Sequence, residues 1–397
     1  MTAHVSCVSG LDARQVRDVR DHFRHSGLRL PTIDYHIDDR GQLIRATSSG
    51  WAEWDSRAIA TAASCRACSV HRDLIRCLDQ YASSGWDSDL LVTLPPGVSG
   101  TTVLDAVEAV PEAGPRPVGY AIGSIMTVID PGTLTATLRS TETLAEKGFC
   151  LGYGDLTCGR LLVEDLLLSD CYILAHDGPD RAGLELGVEL AHHLAPQSRA
   201  TALTSASSAG PLPLPTLEYR FDQLEVTWRA SAGAVVMPLV ADGRRVRTHL
   251  ASTRRPLHPA RLRAALGELT AGSVWARGRI WAASVPDRKF GMTVIGHCVD
   301  FADGGPWLAD RPGSIESTTD TEGLLNWQDD CGDRGTWLAF TGEAVDPARI
   351  DACLAGCELT DDELGFGAAR WRELDDPLQL RSVICAHCPN HQADPAS

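Results

Sequence analysis

Lysine is almost absent from this chain of 397 residues, which contains only Lys147 and Lys289. Neither can be the phosphate-binding lysine of a P-loop, so the sequence predicts no conventional nucleoside-triphosphate site. No apolar run approaches the roughly 18–20 residues that a membrane-spanning helix needs. The N-terminus also lacks a basic segment followed by a long apolar core, which a signal peptide would have. We therefore expect a cytoplasmic protein without a membrane partner.

Positive charge is scarce as well, because 36 lysine and arginine residues stand against 52 acids, for a formal net charge of −16. This balance favours solubility and disfavours nonspecific binding of nucleic acid. The arginines are unevenly placed, and residues 244–279 contain nine of them with a single acid, Glu268. The pattern predicts either a solvated arginine-rich face or a partner surface for phosphate groups. The candidate residues of that partner surface are Arg254, Arg255, Arg261 and Arg263.

The first half of the chain alternates apolar runs with segments of helical spacing. Strand candidates lie at 5–8, 90–94, 122–129 and 171–174, and helix candidates at 12–24 and 184–194. This alternation predicts a parallel sheet covered by helices on both faces. A Ser-, Ala- and Pro-rich stretch at 205–215 predicts a linker. We predict an α/β domain over 1–204, a linker and connecting segment over 205–243, a smaller domain over 244–378 and a Cys/His tail over 379–397.

Cysteine is abundant, and its count of 13 is odd, which argues against a complete disulfide framework. In a cytosolic chain, free thiols or metal ligands are the expected roles. Cys65 and Cys68 form a C-x-x-C pair just before a predicted helix at 69–78. Two thiolates there can bind zinc if two further ligands come from His71, Cys77 or elsewhere. The alternative is a pair of reduced, buried cysteines.

A second C-x-x-C pair lies in the tail, whereas a chain with this many cysteines would contain about 0.4 such pairs by chance. Cys385, Cys388 and His391 form a C-x2-C-x2-H arrangement, with His387 as a spare imidazole. Such ligands suit zinc or nickel, and their crowding favours transient capture over a closed structural site. The alternative is a floppy tail with incidental cysteines.

Ordered motifs in the second half resemble those of the CobW family of GTP-dependent metal-handling proteins. Residues 274–281 resemble the family's R-x-K-G-x-x-W strand, and 254–259 its R-R-P-F-H-P entry into a helix. Further matches follow in the family's order at 305–307, 332–335, 359–363 and 371–377. In the first half, residues 65–74 resemble the C-x-C-C motif and the helix after it. The resemblance implies a P-loop-NTPase-like, doubly wound parallel-sheet domain followed by a smaller α+β CobW C-terminal domain.

The P-loop that this resemblance implies is degenerate. It falls on residues 9–17, where only the first glycine, Gly10, is kept. The second glycine, the lysine and the magnesium-binding hydroxyl are replaced by Gln15, Val16 and Arg17. Because glycine amides and lysine are the groups that hold phosphates, we predict that this turn does not bind them in the usual way.

Two other nucleotide-binding elements of the family have changed as well. The guanine-reading N-K-x-D motif reads Ala-His-Asp-Gly at 175–178, and the E-T-S-G strand end reads Leu-Pro-Pro-Gly at 94–97. Three losses together argue against ordinary GTP hydrolysis and against an enzyme. The expected cofactor is zinc, and GTP is not expected.

The leading hypothesis is a CobW-like zinc-homeostasis protein that binds metal and a macromolecular partner, such as a metalloprotein recipient. The alternative is a non-enzymatic adaptor, because the chain is also similar to an actinobacterial subgroup linked to zinc starvation and ribosome hibernation. Residues 244–279 would then contact ribosomal RNA, the ribosome or a hibernation factor. The third hypothesis is a residual GTP-dependent metallochaperone.

Overall fold

The computed structural model describes residues 2–25, 30–48, 53–60, 65–110, 119–149, 156–176, 181–203, 221–311 and 321–386. The chain forms two compact units, Met1–Thr227 and Trp228–Ser397. The linker predicted at 205–215 lies outside the described residues, and the predicted domain boundaries remain predictions. In the described part of the chain, no helix is both long and apolar enough to cross a membrane.

Unit 1 is built on one eight-stranded sheet. Its strands are β1 (Thr2–Gly10), β2 (Thr32–Ile37), β3 (Leu43–Ser48), β4 (Glu53–Ala58), β5 (Leu90–Thr93), β6 (Gly119–Ile129), β7 (Cys171–Ala175) and β8 (Arg199–Leu203). They lie in the order β4-β3-β2-β5-β1-β6-β7-β8. The β2–β3 and β3–β4 pairs are antiparallel, and the other neighbours are parallel. The predicted parallel sheet is therefore confirmed, and an antiparallel β3–β4 extension is added at one edge.

Helices cover both faces of this sheet. They are α1 (Ala13–His25), α2 (Arg66–Ser84), α3 (Thr101–Ala109), α4 (Leu134–Arg139), α5 (Cys158–Leu168) and α6 (Arg181–Leu194). The chain boundary between the units falls within α7 (Gln223–Ala230). Along β1, Val5 and Cys7 pack in a cluster with α2 and α3, whereas Val8 packs with α1. Side chains alternate between the faces of a strand, so a continuous apolar run can supply both cores.

Unit 2 contains a five-stranded antiparallel sheet in the order β12-β11-β10-β13-β9. Its strands are β9 (Arg247–Thr253), β10 (Trp275–Ile280), β11 (Arg288–Ile295), β12 (Cys298–Pro306) and β13 (Thr336–Gly342). Its helices are α8 (Pro259–Leu269), α9 (Thr321–Leu325), α10 (Pro347–Cys357), α11 (Asp361–Gly365), α12 (Gly367–Trp371) and α13 (Leu380–Ala386), with a 3₁₀ turn at Leu308–Asp310. Helices α8 and α10 bury Leu262, Leu266, Ile350 and Leu354 in the same core as the strand residues Phe290 and Leu338. The predicted α+β class is confirmed.

Candidate functional site

The turn on which the P-loop resemblance falls joins β1 to α1 through only two residues, Leu11 and Asp12. The Asp12 carboxylate accepts hydrogen bonds from the backbone amides of Arg14, at 2.7 Å, and Gln15, at 3.3 Å. These first-turn amides are the groups that bind an anion at a helix N-terminus. The protein's own carboxylate already occupies the place of such an anion.

The four residues named in the degenerate P-loop have separate positions around this turn. Gly10 ends β1, and a Cβ added there would lie 3.1 Å from the Val128 carbonyl oxygen. The buried side chain of Gln15 donates from Nε2 to the carbonyl oxygen of Ala175, at 3.1 Å, which ties α1 to the end of β7. Val16 is buried in the core below α1 and Arg17 is exposed, and both residues line a cavity.

That cavity has a volume of about 630 Å³ and lies between α1, the end of β2 and the start of α2. The Asp34 carboxylate on its wall accepts hydrogen bonds from Arg20, at 2.8 Å, and from Thr93, and lies 2.8 Å from Nδ1 of His36. Burial opposes ionisation of Asp34, but the His36 contact, the Arg20 charge and the Thr93 bond together lower its pKa. The wall therefore holds an ionised carboxylate whose charge is compensated within the protein.

A second carboxylate, Asp165, is buried beside the end of β1. Its Oδ2 accepts from the Ser9 hydroxyl at 2.8 Å, and its Oδ1 accepts from the Ser99 hydroxyl at 2.5 Å and the Gly100 amide at 3.2 Å. Burial raises the pKa of Asp165 to about 6, although these hydrogen bonds act in the opposite direction. This carboxyl joins β1, α5 and the loop before α3.

The C-x-x-C pair lies in the first turn of α2. Cys65 is the N-cap residue, and its Sγ accepts from the Cys68 amide at 3.1 Å. Cys65 is half-buried and Cys68 is exposed. Burial and the neighbouring Cys68 thiol raise the pKa of the Cys65 thiol. A metal that binds here must therefore displace a proton, because the thiolate is the ligand form.

The structure brings no third ligand to this pair from the residues it describes. Within those ranges, no three His, Cys, Asp or Glu side chains are grouped so that they could hold a metal ion. Cys77 lies three turns further along α2, where its Sγ contacts Arg45 at 2.6 Å and Asp73 at 3.7 Å. Cys77 is buried, whereas Cys65 is half-buried at the start of the helix. His71 is half-buried on the same helix.

The tail residues predicted as metal ligands remain untested. Cys388 and His391 lie outside the described residues, as does the side chain of Cys385. The Asp-Gly end of the N-K-x-D position, at 177–178, is also outside the described ranges. Its His176 is described, and its Nδ1 lies 2.9 Å from the carboxylate of Asp130.

Arg254, the first residue of the predicted partner surface, is held within unit 2. Its Nη1 donates to the carbonyl oxygens of Asn326, at 2.8 Å, and Arg334, at 3.1 Å. Its guanidinium also lies 4.3 Å from the ring centroid of Trp337, a cation–π distance. This arginine has a structural role in joining β9 to β13 and the segment after α9.

Two more of these arginines bind acids from α11. Arg255 contacts the Asp361 carboxylate at 2.6 Å, and Arg261 binds both oxygens of Glu363, at 2.7 and 3.0 Å. The hydrogen bonds from Arg261 lower the pKa of Glu363 to about 2. Arg263 is exposed on α8. Three of the four predicted surface arginines therefore have partners inside the unit, and Arg263 is the one most open to a ligand.

Sequence reasoning missed the buried carboxylates Asp34, Asp73 and Asp165. A signal was present, because Asp34 interrupts the apolar residues Ile33 and Tyr35 in a strand. A charged residue in such a run is buried only with partners. The partners themselves lie far away, since Ser9 and Asp165 are 156 residues apart in the chain.

In comparison with known proteins, one family model matches part of this chain. Residues 246–358 match the cobalamin synthesis protein cobW C-terminal domain. The resemblance of the second half to that domain is therefore confirmed. The match covers most of unit 2, including β9 to β13.

Similar proteins extend the likeness beyond that domain. The zinc chaperone Rv0106 of Mycobacterium tuberculosis is 28% identical over 291 residues, which cover 68% of this chain and 70% of that protein. The zinc-regulated GTPase metalloprotein activator 1 of Dictyostelium discoideum is 26% identical over 272 residues, which cover 65% of this chain and 56% of that protein. The crystal structure of the Zn(II)-bound YjiA GTPase from E. coli covers 90% of this chain and 100% of its own, at 11% identity and a TM-score of 0.34. That score is below the level that establishes a common fold.

Proposed function

We propose that this chain is a CobW-type zinc-homeostasis protein, which binds zinc through Cys65 and Cys68 and serves a metalloprotein partner. The thiol pair in the first turn of α2 is the observation that carries the proposal. Its support outside the structure is the CobW C-terminal domain and the similarity to a zinc chaperone and a zinc-regulated metalloprotein activator.

The geometry suits a site that releases its metal. Zinc takes four ligands, and a closed structural site supplies all of them from the protein. Cys65 and Cys68 supply two, so the others must come from water, from the tail residues Cys385, Cys388 and His391, or from a partner. Ligands that are exchangeable in this way allow a recipient protein to replace them one at a time.

The proposed activity needs no conventional GTP hydrolysis. In support, Asp12 occupies the first amides of α1, and Gln15 and Val16 are buried at the positions of the second glycine and the lysine. A phosphate at this turn would meet the Asp12 charge instead of a lysine. A residual GTP-dependent metallochaperone is therefore the weakest of the three hypotheses.

The adaptor hypothesis, with the ribosome or a hibernation factor as partner, draws its support from the basic segment at 244–279. Three of its candidate arginines have partners within unit 2, which leaves Arg263 as the clearest contact for RNA. We therefore favour a metalloprotein recipient as the partner.

Zinc analysis of the purified full chain tests the proposal. We expect about one zinc per chain to be lost when Cys65→Ser and Cys68→Ser are combined, since thiolates are the strongest ligands of the site. Cys298→Ser is the matched control, because Cys298 is an exposed thiol in unit 2. Retention of full zinc by the double variant would contradict the assignment. Micromolar binding of GTP by calorimetry would contradict the nucleotide part of the proposal.

A further inference from the structure

A second cavity, of about 470 Å³, lies between β4 and the outer face of α2. Three arginines line it, Arg57 from β4 and Arg72 and Arg76 from α2. Its other walls are formed by 58–60, Ser69 and Asp73. This concentration of guanidinium groups stands in a chain whose formal net charge is −16. The cavity is separate from the thiol pair, although both are on α2.

The single acid in the cavity wall is Asp73, and its negative charge is compensated by residues that do not line the cavity. Buried Arg45 contacts it at 3.1 and 3.3 Å, and Tyr35 donates to it at 3.0 Å. Arg57 approaches the same carboxylate at 3.8 Å, and Arg45 reaches Asp55 at 3.7 Å. Through these contacts, the two positive charges of Arg45 and Arg57 are compensated by the two negative charges of Asp55 and Asp73.

Arg72 and Arg76 add two further positive charges to this balanced group. In the ranges that the structure describes, neither forms an ion pair, and Nε of Arg72 donates to the carbonyl oxygen of Cys68 at 3.2 Å. A bond to a carbonyl leaves the charge of the guanidinium uncompensated. Like charges at positions i and i+4 of a helix destabilise it, so this pair is unfavourable without an anion between them.

We propose that this cavity binds a small phosphorylated ligand through Arg57, Arg72 and Arg76. Guanidinium groups bind phosphate oxygens with two parallel hydrogen bonds, and arginines on two different elements can hold one phosphoryl group from two sides. A volume of about 470 Å³ accepts a phosphomonoester of metabolite size. Nε of Arg72 donates to the carbonyl oxygen of Cys68. An anion bound by Arg72 would therefore lie close to the first turn of α2.

Calorimetric titration of the metal-free full chain tests the proposal, with inorganic phosphate and glycerol 3-phosphate as probes at constant ionic strength. We expect saturable binding of one phosphate per chain, with a Kd of about 1 mM or below. Arg72→Gln and Arg76→Gln should each weaken it about tenfold, because each removes a charge-assisted contact. Arg370→Gln, at an exposed arginine on α12 of unit 2, is the matched control and should leave the Kd unchanged.

Thermal unfolding without phosphate separates binding from folding. The double variant Arg72→Gln/Arg76→Gln should unfold at the same temperature as the parent or slightly above it, since repulsion is removed. The Cys65→Ser/Cys68→Ser variant should keep phosphate binding, so failure of the zinc proposal would not affect this one. Absence of saturable phosphate binding, or equal Kd values for the parent and the arginine variants, would overturn the proposal. Saturable binding of an RNA oligonucleotide without binding of either probe would also overturn it.

Discussion

Replacement of Asp165 by asparagine should stabilise unit 1 at neutral pH. The Asp165 carboxyl is buried, and burial raises its pKa from 3.8 to about 6. A difference of about 2 pKa units corresponds to about 3 kcal/mol between the ionised and neutral forms. Asparagine has nearly the same shape and carries no charge. Its amide can accept from the Ser99 hydroxyl and the Gly100 amide and can donate to the Ser9 hydroxyl, so the three contacts can be kept.

The stabilising effect of Asp165→Asn should depend on pH. Because the folded-state pKa of Asp165 is higher than the unfolded-state pKa, the folded protein binds more protons between about pH 4 and pH 6. The contribution of this group to stability is therefore complete below about pH 4 and is lost as the pH rises through about 6. The difference in the free energy of unfolding between Asp165→Asn and the parent should grow over that window, to at most about 3 kcal/mol above pH 7.

Urea unfolding of both proteins at intervals from pH 4 to pH 8 measures this difference, with far-UV circular dichroism as the signal. Asp18→Asn, an exposed residue on α1, is the control and should change the free energy of unfolding by less than about 0.5 kcal/mol. If Asp165→Asn is no more stable than the parent at pH 8, and the difference does not vary with pH, the reasoning is refuted. The hydrogen bonds from Ser9, Ser99 and Gly100 would then offset the whole cost of burying the charge.

Four further substitutions test other contacts. Asp12→Ala removes the N-cap of α1 and should lower the free energy of unfolding by about 1 kcal/mol without creating GTP binding, as measured by urea unfolding and calorimetry. Arg45→Met leaves the buried Asp73 without its main partner and should lower the free energy of unfolding of unit 1 by about 3–5 kcal/mol. Arg57→Met, at a side chain that is 53% exposed, should lower it by less than about 1 kcal/mol. Gly278→Ala should disrupt β10 in unit 2, because the added Cβ would lie 1.9 Å from the Trp337 carbonyl oxygen, and a fall in the unfolding temperature with zinc content unchanged is the expected result.

The central strands of unit 1 were predictable because they are buried on both faces. Such strands form continuous apolar runs, and the runs at 90–94 and 171–174 coincide with β5 and β7. The edge strands β3 and β4 were not predicted. β4 reads Glu-Trp-Asp-Ser-Arg-Ala, and a polar, one-sided edge strand gives no apolar run to detect. The sheet order also depends on long-range pairing that no local pattern encodes.

The arginine segment shows a different limit of sequence reasoning. Counting charges over 244–279 predicted an excess of positive charge, but Arg255 and Arg261 are paired with Asp361 and Glu363, which follow about a hundred residues later. A window along the chain cannot include partners at that distance. The Arg72–Arg76 pair was not predicted as a site, because two arginines on one helix are common. Only the fold shows that Arg57 of β4 lines the same cavity.

Helix α2 connects the proposed activities of unit 1. Its first turn carries Cys65 and Cys68, its outer face carries Arg72 and Arg76, and its inner face is fixed by the contact of Asp73 with Arg45. Because a buried ion pair holds the helix against β3, we expect the thiols to stand on a fixed element, so that the proposed metal site need not be assembled by a nucleotide-driven movement. An anion bound by Arg72 would act on the same element, next to the Cys68 carbonyl. We therefore expect ligands of the arginine cavity, and not GTP at the β1–α1 turn, to be the small molecules that affect zinc affinity.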